Sequence, residues 1–231
     1  MTVLIVVAHP DDEVLGVGGT AAALARRGVP VRACILSGKV DARQRRPEIV
    51  ELRQDIERAQ EILGILPPIL GDLPNVRFNT VPHLEIVQFI EAAIIETHAD
   101  IIFTHHPGDL NDDHLHTSRA CQAAARLFQR RQDVPLLKGL FYMEILSSTD
   151  WVFPGAGNPF QADTFFPVGE TLDCKVQALR AYREVMRDFP HPRSEEIVRG
   201  LAAYRGGQSG MRYAEAFQTA FHALGTLGGW Q

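Results

Sequence analysis

Apolar residues along the chain fall into short unbroken runs that alternate with longer segments, in which apolar positions recur every three to four residues. Val3 to Val7 is such a run, and its Val and Ile content is typical of a strand buried on both faces of a sheet. The longer segments have the period of helices that bury one face. The pattern predicts strands at residues 2–8, 30–36, 100–104 and 138–146, and helices at residues 18–27, 47–64, 83–97 and 114–131.

Strands that alternate with helices of these lengths predict an α/β fold, in which a mainly parallel, Rossmann-like sheet carries helices on both faces. Residues 67–80 and 151–166 are rich in Pro, Gly and Asn and are expected to be loops, the first with a short strand as an alternative and the second a candidate wall or lid. From Gly169 onward we expect two or three helices, a helical C-terminal extension. We interpret residues 1–231 as one domain, with a core of residues 1–146 and a loop and helical tail of residues 147–231 that packs near the site.

Composition and charge narrow the class of protein. The 231 residues are 45% hydrophobic and 22% charged, which is ordinary for a globular chain. The net charge of −5 and the lack of an obvious basic face argue against a nucleic-acid partner. Arg43, Arg45 and Arg46 form a basic cluster, which we interpret as solvated surface, with an anion contact near the site as the alternative.

Cysteine usage and the lack of a targeting segment predict a cytoplasmic protein. Cys34, Cys121 and Cys174 are widely spaced and odd in number, which is typical of thiols in a reducing compartment rather than of disulfides or metal ligands. No basic stretch precedes the first apolar run, as it would in a signal peptide. No apolar run approaches the length of a membrane span, so we expect no membrane partner.

Two of the predicted strands end in segments rich in His and Asp. His9, Asp11 and Asp12 follow the first strand, and residues 105–116 follow the strand at 100–104. Open α/β sheets bind their ligands at the carboxyl ends of their strands. Catalytic zinc takes three protein ligands, His and carboxylate among them, and keeps one position for water. His9, Asp12 and one histidine of the second segment would supply such a set.

Two motifs and three helical stretches carry a resemblance to a known family: Ala8-His9-Pro10-Asp11-Asp12-Glu13, Asp109-Leu110-Asn111-Asp112-Asp113-His114, residues 53–64, residues 175–182 and residues 213–217. They resemble those of the LmbE-like, or PIG-L, zinc-dependent N-acetylglucosaminyl deacetylases. The first motif is specific to that family and the second moderately so, whereas the helical stretches are informative only together with the motifs. The likeness extends from about residue 3 to about residue 221.

The resemblance implies a metal-dependent hydrolase acting on a small N-acetylated sugar. By the family pattern His9, Asp12 and His114 bind Zn²⁺, with Fe²⁺ as the alternative, and Asp11 is the catalytic base. Asp11 could instead orient another group of the site. Asp113 is expected to orient a histidine or to cap the helix. Homo-oligomers are compatible with the resemblance.

Asn111 departs from the family pattern, which often has histidine at this position. Asparagine keeps a hydrogen-bond donor but loses the titratable group, so we expect Asn111 to bind substrate and another residue to assist catalysis. His191, in a Pro-flanked loop, is the candidate, with an exposed turn histidine as the alternative. Arg53 matches a family arginine near substrate, and a solvated helix face is its alternative.

Other histidines and other functions remain open at this stage. His105 and His106 could contact metal or substrate or lie on a loop surface, and His116 is expected to be structural. The same metal site could cleave another amide, such as a thiol conjugate, or belong to a catalytically silent module. Residues 16–21 fit the dinucleotide pattern GxGxxA, but residues 9–15 separate these glycines from the strand, which argues against a nucleotide cofactor.

Overall fold

A seven-stranded sheet runs through the protein, in a computed structural model that describes residues 1–39, 47–153, 155 and 157–223. The basic cluster Arg43, Arg45 and Arg46 lies outside the described residues. The strands are β1 (Val3–Val7), β2 (Val31–Ile35), β3 (Leu66–Leu70), β4 (Ile101–His105), β5 (Gly139–Met143), β6 (Thr164–Pro167) and β7 (Ala214–His222). The helices are α1 (Asp12–Arg26), α2 (Ile49–Leu63), α3 (His83–Thr97), α4 (Asp112–Ala124), α5 (Leu172–Ala181) and α6 (Glu195–Ser209).

The order of the strands brings the carboxyl ends of β1 and β4 side by side. The sheet runs β3-β2-β1-β4-β5-β7-β6, and the first five of these strands are parallel. The chain moves outward from β1 to β2 and β3, then returns to β4 on the other side of β1. Such a reversal of direction opens a crevice at the carboxyl edge, where α/β proteins bind ligands.

Alternate residues of β1 face two separate hydrophobic layers, as the two-residue period of a strand requires. Val3, Ile5 and Val7 pack in one cluster with side chains of α1, α2 and α5. Leu4 and Val6 pack in the other cluster with side chains of α3 and α4. Both faces of the sheet are therefore covered, which confirms the predicted α/β class and explains why β1 is apolar throughout.

The C-terminal extension is helical only in part, which corrects the expectation of helices alone after Gly169. α5 and α6 are followed by β7, which pairs antiparallel with both β5 and β6. The sequence of β7 is rich in Ala and carries a Glu, and both residues favour helices over strands. The partner strands override this preference, because β7 fills the space between β5 and β6. Within the described residues, no helix has the length and apolar character needed to cross a bilayer.

A candidate metal centre at the carboxyl edge of the sheet

The first site loop is the name used here for residues 8–13, which comprise the connection from β1 to α1 and the first two residues of α1. Asp11 is the N-cap of α1 and has φ of +96°, a conformation that L-residues rarely adopt. The backbone N–H of Asp11 donates to Oε2 of Glu13 at 3.1 Å, and that of His9 donates to Oδ2 of Asp12 at 3.0 Å. Two buried carboxylates therefore hold the backbone of this loop in place.

The second site loop is the name used here for residues 106–114, which comprise the connection from β4 to α4 and the first three residues of α4. Asn111 caps α4, because its side-chain oxygen accepts a hydrogen bond from the N–H of Asp113 at 3.0 Å. The cap is thus Asn111 rather than Asp112 or Asp113. His114 lies in the first turn of α4, where the helix fixes the direction of its side chain.

The two loops bring His9, Asp12 and His114 together in a buried cluster. One ligand atom of each residue lies within 4.8 Å of those of the other two. Nε2 of His114 lies 3.1 Å from Oδ2 of Asp12, and Nδ1 of His9 lies 3.4 Å from the same oxygen. Two imidazole nitrogens and a carboxylate oxygen are ligands that suit Zn²⁺.

The second nitrogen of each imidazole in this cluster contacts a further carboxylate. Nε2 of His9 lies 2.9 Å from Oδ2 of Asp113, and Nδ1 of His114 lies 3.1 Å from Oδ1 of Asp109. Histidine ligands in metalloproteins commonly donate their other N–H to such a group, which fixes the ring and its tautomer. The cluster therefore fits a divalent cation both in its donor atoms and in their supports.

Electrostatics within the cluster favour charged side chains in spite of burial. Burial opposes ionisation of His114, but Asp12 and Asp109 raise its pKa to about 10. Burial would raise the pKa of Asp12, yet His114 and His9 lower it well below its ordinary value. Without metal, the cluster thus retains a proton among its imidazoles, and a cation that binds there must displace it.

A cleft of about 400 Å³ opens directly above this cluster. Its deep part is polar, whereas Val76 and Leu110 at its wall are more than half exposed despite being apolar. Asp11 lies at the cleft beside Asp12 and is almost fully buried, with 1% of its surface exposed. The residues that line the cleft are His9, Asp11, Asp12, Asn75, Val76, Leu110, Asn111, His114, Ser147, Ser148 and Arg193.

Unusual backbone conformations are concentrated at this cleft. In the described part of the chain, five residues other than glycine have positive φ, and three of them line the cleft: Asp11 at +96°, Val76 at +57° and Ser147 at +70°. Such conformations cost free energy and persist where the surrounding structure imposes them, as it often does at functional sites. The clustering therefore marks the cleft as a candidate functional site on grounds other than its residue types.

The structure brings together five of the seven residues that the sequence nominates for the site. Asp11 and Asn111 line the cleft with the three candidate metal ligands. Arg53 lies on an exposed face of α2, and His191 is exposed on the loop that precedes α6. Neither of these two side chains is among those that line the cleft.

The histidines left open by the sequence lie behind or away from the cluster. His105 is fully buried and stacks on His114 with ring centroids 3.8 Å apart. Its Nε2 accepts the N–H of Ala8 at 2.9 Å, and burial lowers its pKa to about 3, so it is a neutral packing partner. His106 packs edge-on against Tyr142. His116 lies 3.4 Å from the exposed Asp112.

Sequence reasoning missed Arg193, which lies in the wall of the cleft. Its Nη1 lies 3.2 Å from Oδ2 of Asp11, and its Nε donates to Oγ of Ser147 at 2.8 Å. The prediction from sequence identified the loop that contains Arg193 but named His191 as the candidate, because histidine is the more common proton donor. Which of these two basic side chains reaches the site depends on the turn geometry, which the local sequence does not reveal.

Comparison with known proteins agrees with this geometry. The model of the PIG-L family, described as GlcNAc-PI de-N-acetylase, matches residues 4–125, slightly more than half of the chain. The matched segment contains both site loops and all three residues of the buried cluster.

Solved structures with the same fold cover nearly the whole chain. The conserved protein TT1542 from Thermus thermophilus superposes with a TM-score of 0.79 at 25% identity over 97% of each chain. N,N'-diacetylchitobiose deacetylase from Pyrococcus horikoshii superposes with a TM-score of 0.76 at 18% identity over 94% of this chain and 83% of its own. GalB, the 4-carboxy-2-hydroxymuconate hydratase of Pseudomonas putida, superposes with a TM-score of 0.77 at 20% identity over 97% of this chain and 98% of its own. At such low identities, the last two similarities establish the fold alone.

Proposed function

Because the chain belongs to the GlcNAc-PI de-N-acetylase (PIG-L) family, we propose that it is a metal-dependent hydrolase that removes the acetyl group from an N-acetylated amino sugar or a sugar-containing small molecule. The observation that carries this proposal is the buried cluster of His9, Asp12 and His114, which opens onto a cleft beside Asp11. A cleft of about 400 Å³ is within the usual size range for a small-molecule site.

His9, Asp12 and His114 would hold the cation, which we propose to be Zn²⁺, with Fe²⁺ as the alternative. When bound, the metal supplies Lewis-acid chemistry, since it polarises a carbonyl group and lowers the pKa of water. Asp109 and Asp113 keep the two imidazoles oriented, at 3.1 Å and 2.9 Å from His114 and His9 respectively. These contacts support a preformed metal site.

Asp11 is the proton carrier in this mechanism. The oxygen of water adds to the amide carbon, its proton passes to the carboxylate of Asp11, and the π electron pair moves to the carbonyl oxygen. The C=O bond then re-forms while the C–N bond breaks, and Asp11 returns the proton to the leaving nitrogen. The products are acetate and a free amine. A buried carboxylate at the cleft, with a fixed backbone, is suited to this role.

Asn111 would contribute a substrate contact. Its side-chain oxygen is already committed to capping α4, so its amide N–H groups are the part available to a sugar hydroxyl or an acetyl oxygen. Arg53 and His191 lie outside the lining of the cleft, and this mechanism therefore gives them no direct contact with substrate. A cytoplasmic location remains part of the proposal, in keeping with the free thiols of Cys34, Cys121 and Cys174.

The test is metal content measured on the purified protein together with acetate release from N-acetylglucosamine and several of its conjugates. We expect one metal per chain and acetate release that a chelator abolishes and added zinc restores. The Asp11→Asn variant should retain the metal and lose turnover. Metal without acetate release would favour another amide as substrate, and hydration of an unsaturated acid in place of acetate release would favour a GalB-like reaction. A protein that binds no metal after reconstitution would overturn the proposal.

A further inference from the structure

The charges around the cleft are strongly unequal. Among the described residues that line it, Arg193 is the one with a permanently positive side chain, while Asp11 and Asp12 are acidic. Asp109 and Asp113 add two carboxylates directly behind the histidines. Any reaction that places negative charge on a substrate in this cleft therefore occurs beside these carboxylates. Of the described side chains that line the cleft, Arg193 is best able to add to the compensation that a bound cation would supply.

The chain holds the backbone of Arg193 firmly before α6 begins. Ser194, the next residue, is fully buried and caps α6 through its hydroxyl, which accepts from the N–H of Ile197 at 3.3 Å. The N–H of Arg193 donates to Nδ1 of His191 at 3.0 Å, and the N–H of Arg187 donates to the carbonyl of Arg193 at 3.3 Å. His191 thus contacts the arginine rather than the cleft.

The guanidinium of Arg193 is anchored at two points on the cleft wall. Nη1 contacts Oδ2 of Asp11 at 3.2 Å, and Nε donates to the hydroxyl of Ser147 at 2.8 Å. The backbone of Ser147 has φ of +70°. About a quarter of the side chain, 23%, is exposed. A guanidinium carries five N–H donors in a rigid plane. These two contacts use two donors, so the group can hold Asp11 and a bound anion at the same time.

We propose that Arg193 is a catalytic residue of this cleft, which holds Asp11 with one N–H and stabilises negative charge on the reacting oxygen of the substrate with others. His191 acts as its positioning residue through the backbone contact. The inference rests on the proposed amide hydrolysis. It also accounts for Asn111, because this neutral side chain cannot supply the charge that a histidine at its position would provide.

The electron balance of the reaction defines when this charge is needed. As water adds to the amide carbon and gives its proton to Asp11, the π pair of the carbonyl moves onto oxygen, which becomes anionic. When the C–N bond breaks, that electron pair re-forms the C=O bond, and the electrons of the C–N bond leave with the nitrogen, which takes the proton from Asp11. Arg193 contributes hydrogen bonds and positive charge to this step rather than a proton.

The experiment compares Arg193→Ala and Arg193→Lys with Arg187→Ala as the matched control. Arg187 is an arginine on the same loop whose side chain pairs with Glu184. Each zinc-loaded protein is titrated with methylphosphonate, observed by phosphorus NMR, because this anion carries the methyl group and tetrahedral oxygens of the reacting centre. Metal content and thermal unfolding establish that each variant is folded. Values of kcat and KM for acetate release are measured alongside.

We expect Arg193→Ala to weaken methylphosphonate binding and to lower kcat, the latter by about 100-fold with little change in KM, as for loss of one donor to developing charge. Arg193→Lys should recover part of both losses, since lysine restores the positive charge but not the planar set of N–H donors of a guanidinium. Arg187→Ala should match the wild type. Unchanged methylphosphonate binding and kcat in a folded, zinc-loaded Arg193→Ala protein would overturn the inference. If the wild type binds methylphosphonate through Arg193 but releases no acetate, the proposed deacetylation fails while the anion-binding role of Arg193 stands.

Discussion

The two site loops lie side by side, yet the fold secures them in different ways. The backbone of the first loop, residues 8–13, is held by its own Asp12 and Glu13, and Glu13 is in turn held by side chains from distant parts of the chain. The second loop, residues 106–114, is held largely by its own carboxylates, which also orient both histidines of the candidate metal centre. The comparison teaches that the second loop organises the metal ligands, whereas the first loop depends on the C-terminal extension.

Glu13 is the point at which the first loop is tied to the rest of the protein. It is fully buried and accepts hydrogen bonds from the Tyr182 hydroxyl and from the side chain of Gln60, in addition to the N–H of Asp11. Burial raises its pKa to about 8. Tyr182 follows α5, so the C-terminal extension reaches the backbone of Asp11 through a single carboxyl group.

The helix that follows the first loop is also bound to the extension. Nζ of Lys175 donates to the carbonyl of Leu15 at 2.7 Å, and Glu215 accepts from the N–H groups of Gly19 and Thr20 at 2.9 and 2.7 Å. In a regular helix the N–H of Gly19 would bond to the carbonyl of Leu15. The buried Lys175–Glu215 pair is thus inserted into the hydrogen-bond ladder of α1, which locks this helix to α5 and β7.

Asp109 and Asp113, two carboxylates of the second loop, support the histidines of the candidate metal centre. Asp109 accepts from the hydroxyl groups of Ser148 and Thr149, the latter at 2.6 Å, while contacting His114. Asp113 accepts from the N–H groups of Val76 and Phe78 at 2.6 and 2.9 Å while contacting His9. Each carboxylate therefore joins an imidazole to a neighbouring segment.

The largest effect should follow removal of a candidate ligand from the second loop. We expect His114→Ala to lose stoichiometric metal, because the buried cluster then retains only two of its three donors. The measurement is metal content after dialysis against a defined free zinc concentration. His116→Ala on the same helix is the control, since His116 contacts the exposed Asp112 instead. Full metal content in His114→Ala would remove His114 from the ligand set.

The second prediction tests whether the second loop organises the ligands of both loops. Asp113→Asn should weaken metal binding by about 10- to 100-fold, because His9 loses its orienting carboxylate. It should also destabilise the fold by roughly 1.5–3 kcal/mol, since a buried charged acceptor of backbone N–H groups is replaced by an amide. Chemical unfolding and zinc competition measure the two effects.

Asp112→Asn is the matched control for Asp113→Asn. The adjacent Asp112 is 58% exposed, so this substitution should leave both quantities close to those of the wild type. Equal effects from the two substitutions would show that the charge of the helix N-terminus, rather than the contact with His9, controls metal affinity, and the contrast between the loops would then fail.

How much of the fold and of the candidate site could be predicted from the sequence depends on how far apart in sequence the interacting residues are. Strands β1 and β4 were predictable because they are local apolar runs, and the segments that carry the candidate ligands follow them in the chain. Strand β7 was not, because Glu215 looks exposed and helical until Lys175 is placed against it at 2.6 Å. Arg193 was missed for a similar reason, since its partner Asp11 lies 182 positions away in sequence. Contacts between distant residues decide both cases.

The third prediction tests the dependence of the first loop on Glu13. Glu13→Gln preserves size, but its NH₂ group places two hydrogens where a carboxyl oxygen carries at most one, and it faces donors from Asp11, Gln60 or Tyr182. We expect a loss of about 1–3 kcal/mol in the free energy of unfolding. We also expect kcat to fall while metal affinity changes little, because the residue displaced is Asp11 rather than a candidate ligand. A drop in metal affinity as large as that of Asp113→Asn would show that the first loop also organises the metal.

Tyr182→Phe should have the smallest effect, and it isolates the link between the C-terminal extension and the first loop. The substitution removes one hydroxyl, while Glu13 still accepts from Gln60 and from the backbone of Asp11. We therefore expect a loss of about 0.5–1.5 kcal/mol in urea unfolding and a smaller fall in kcat than in Glu13→Gln. Tyr204→Phe is the control, since Tyr204 is 61% exposed on α6. If Tyr182→Phe lowers kcat as far as Glu13→Gln does, the extension positions Asp11 through this hydroxyl. If stability and kcat both match the control, Glu13 alone fixes the loop, and the extension acts on α1 through Lys175 and Glu215 instead.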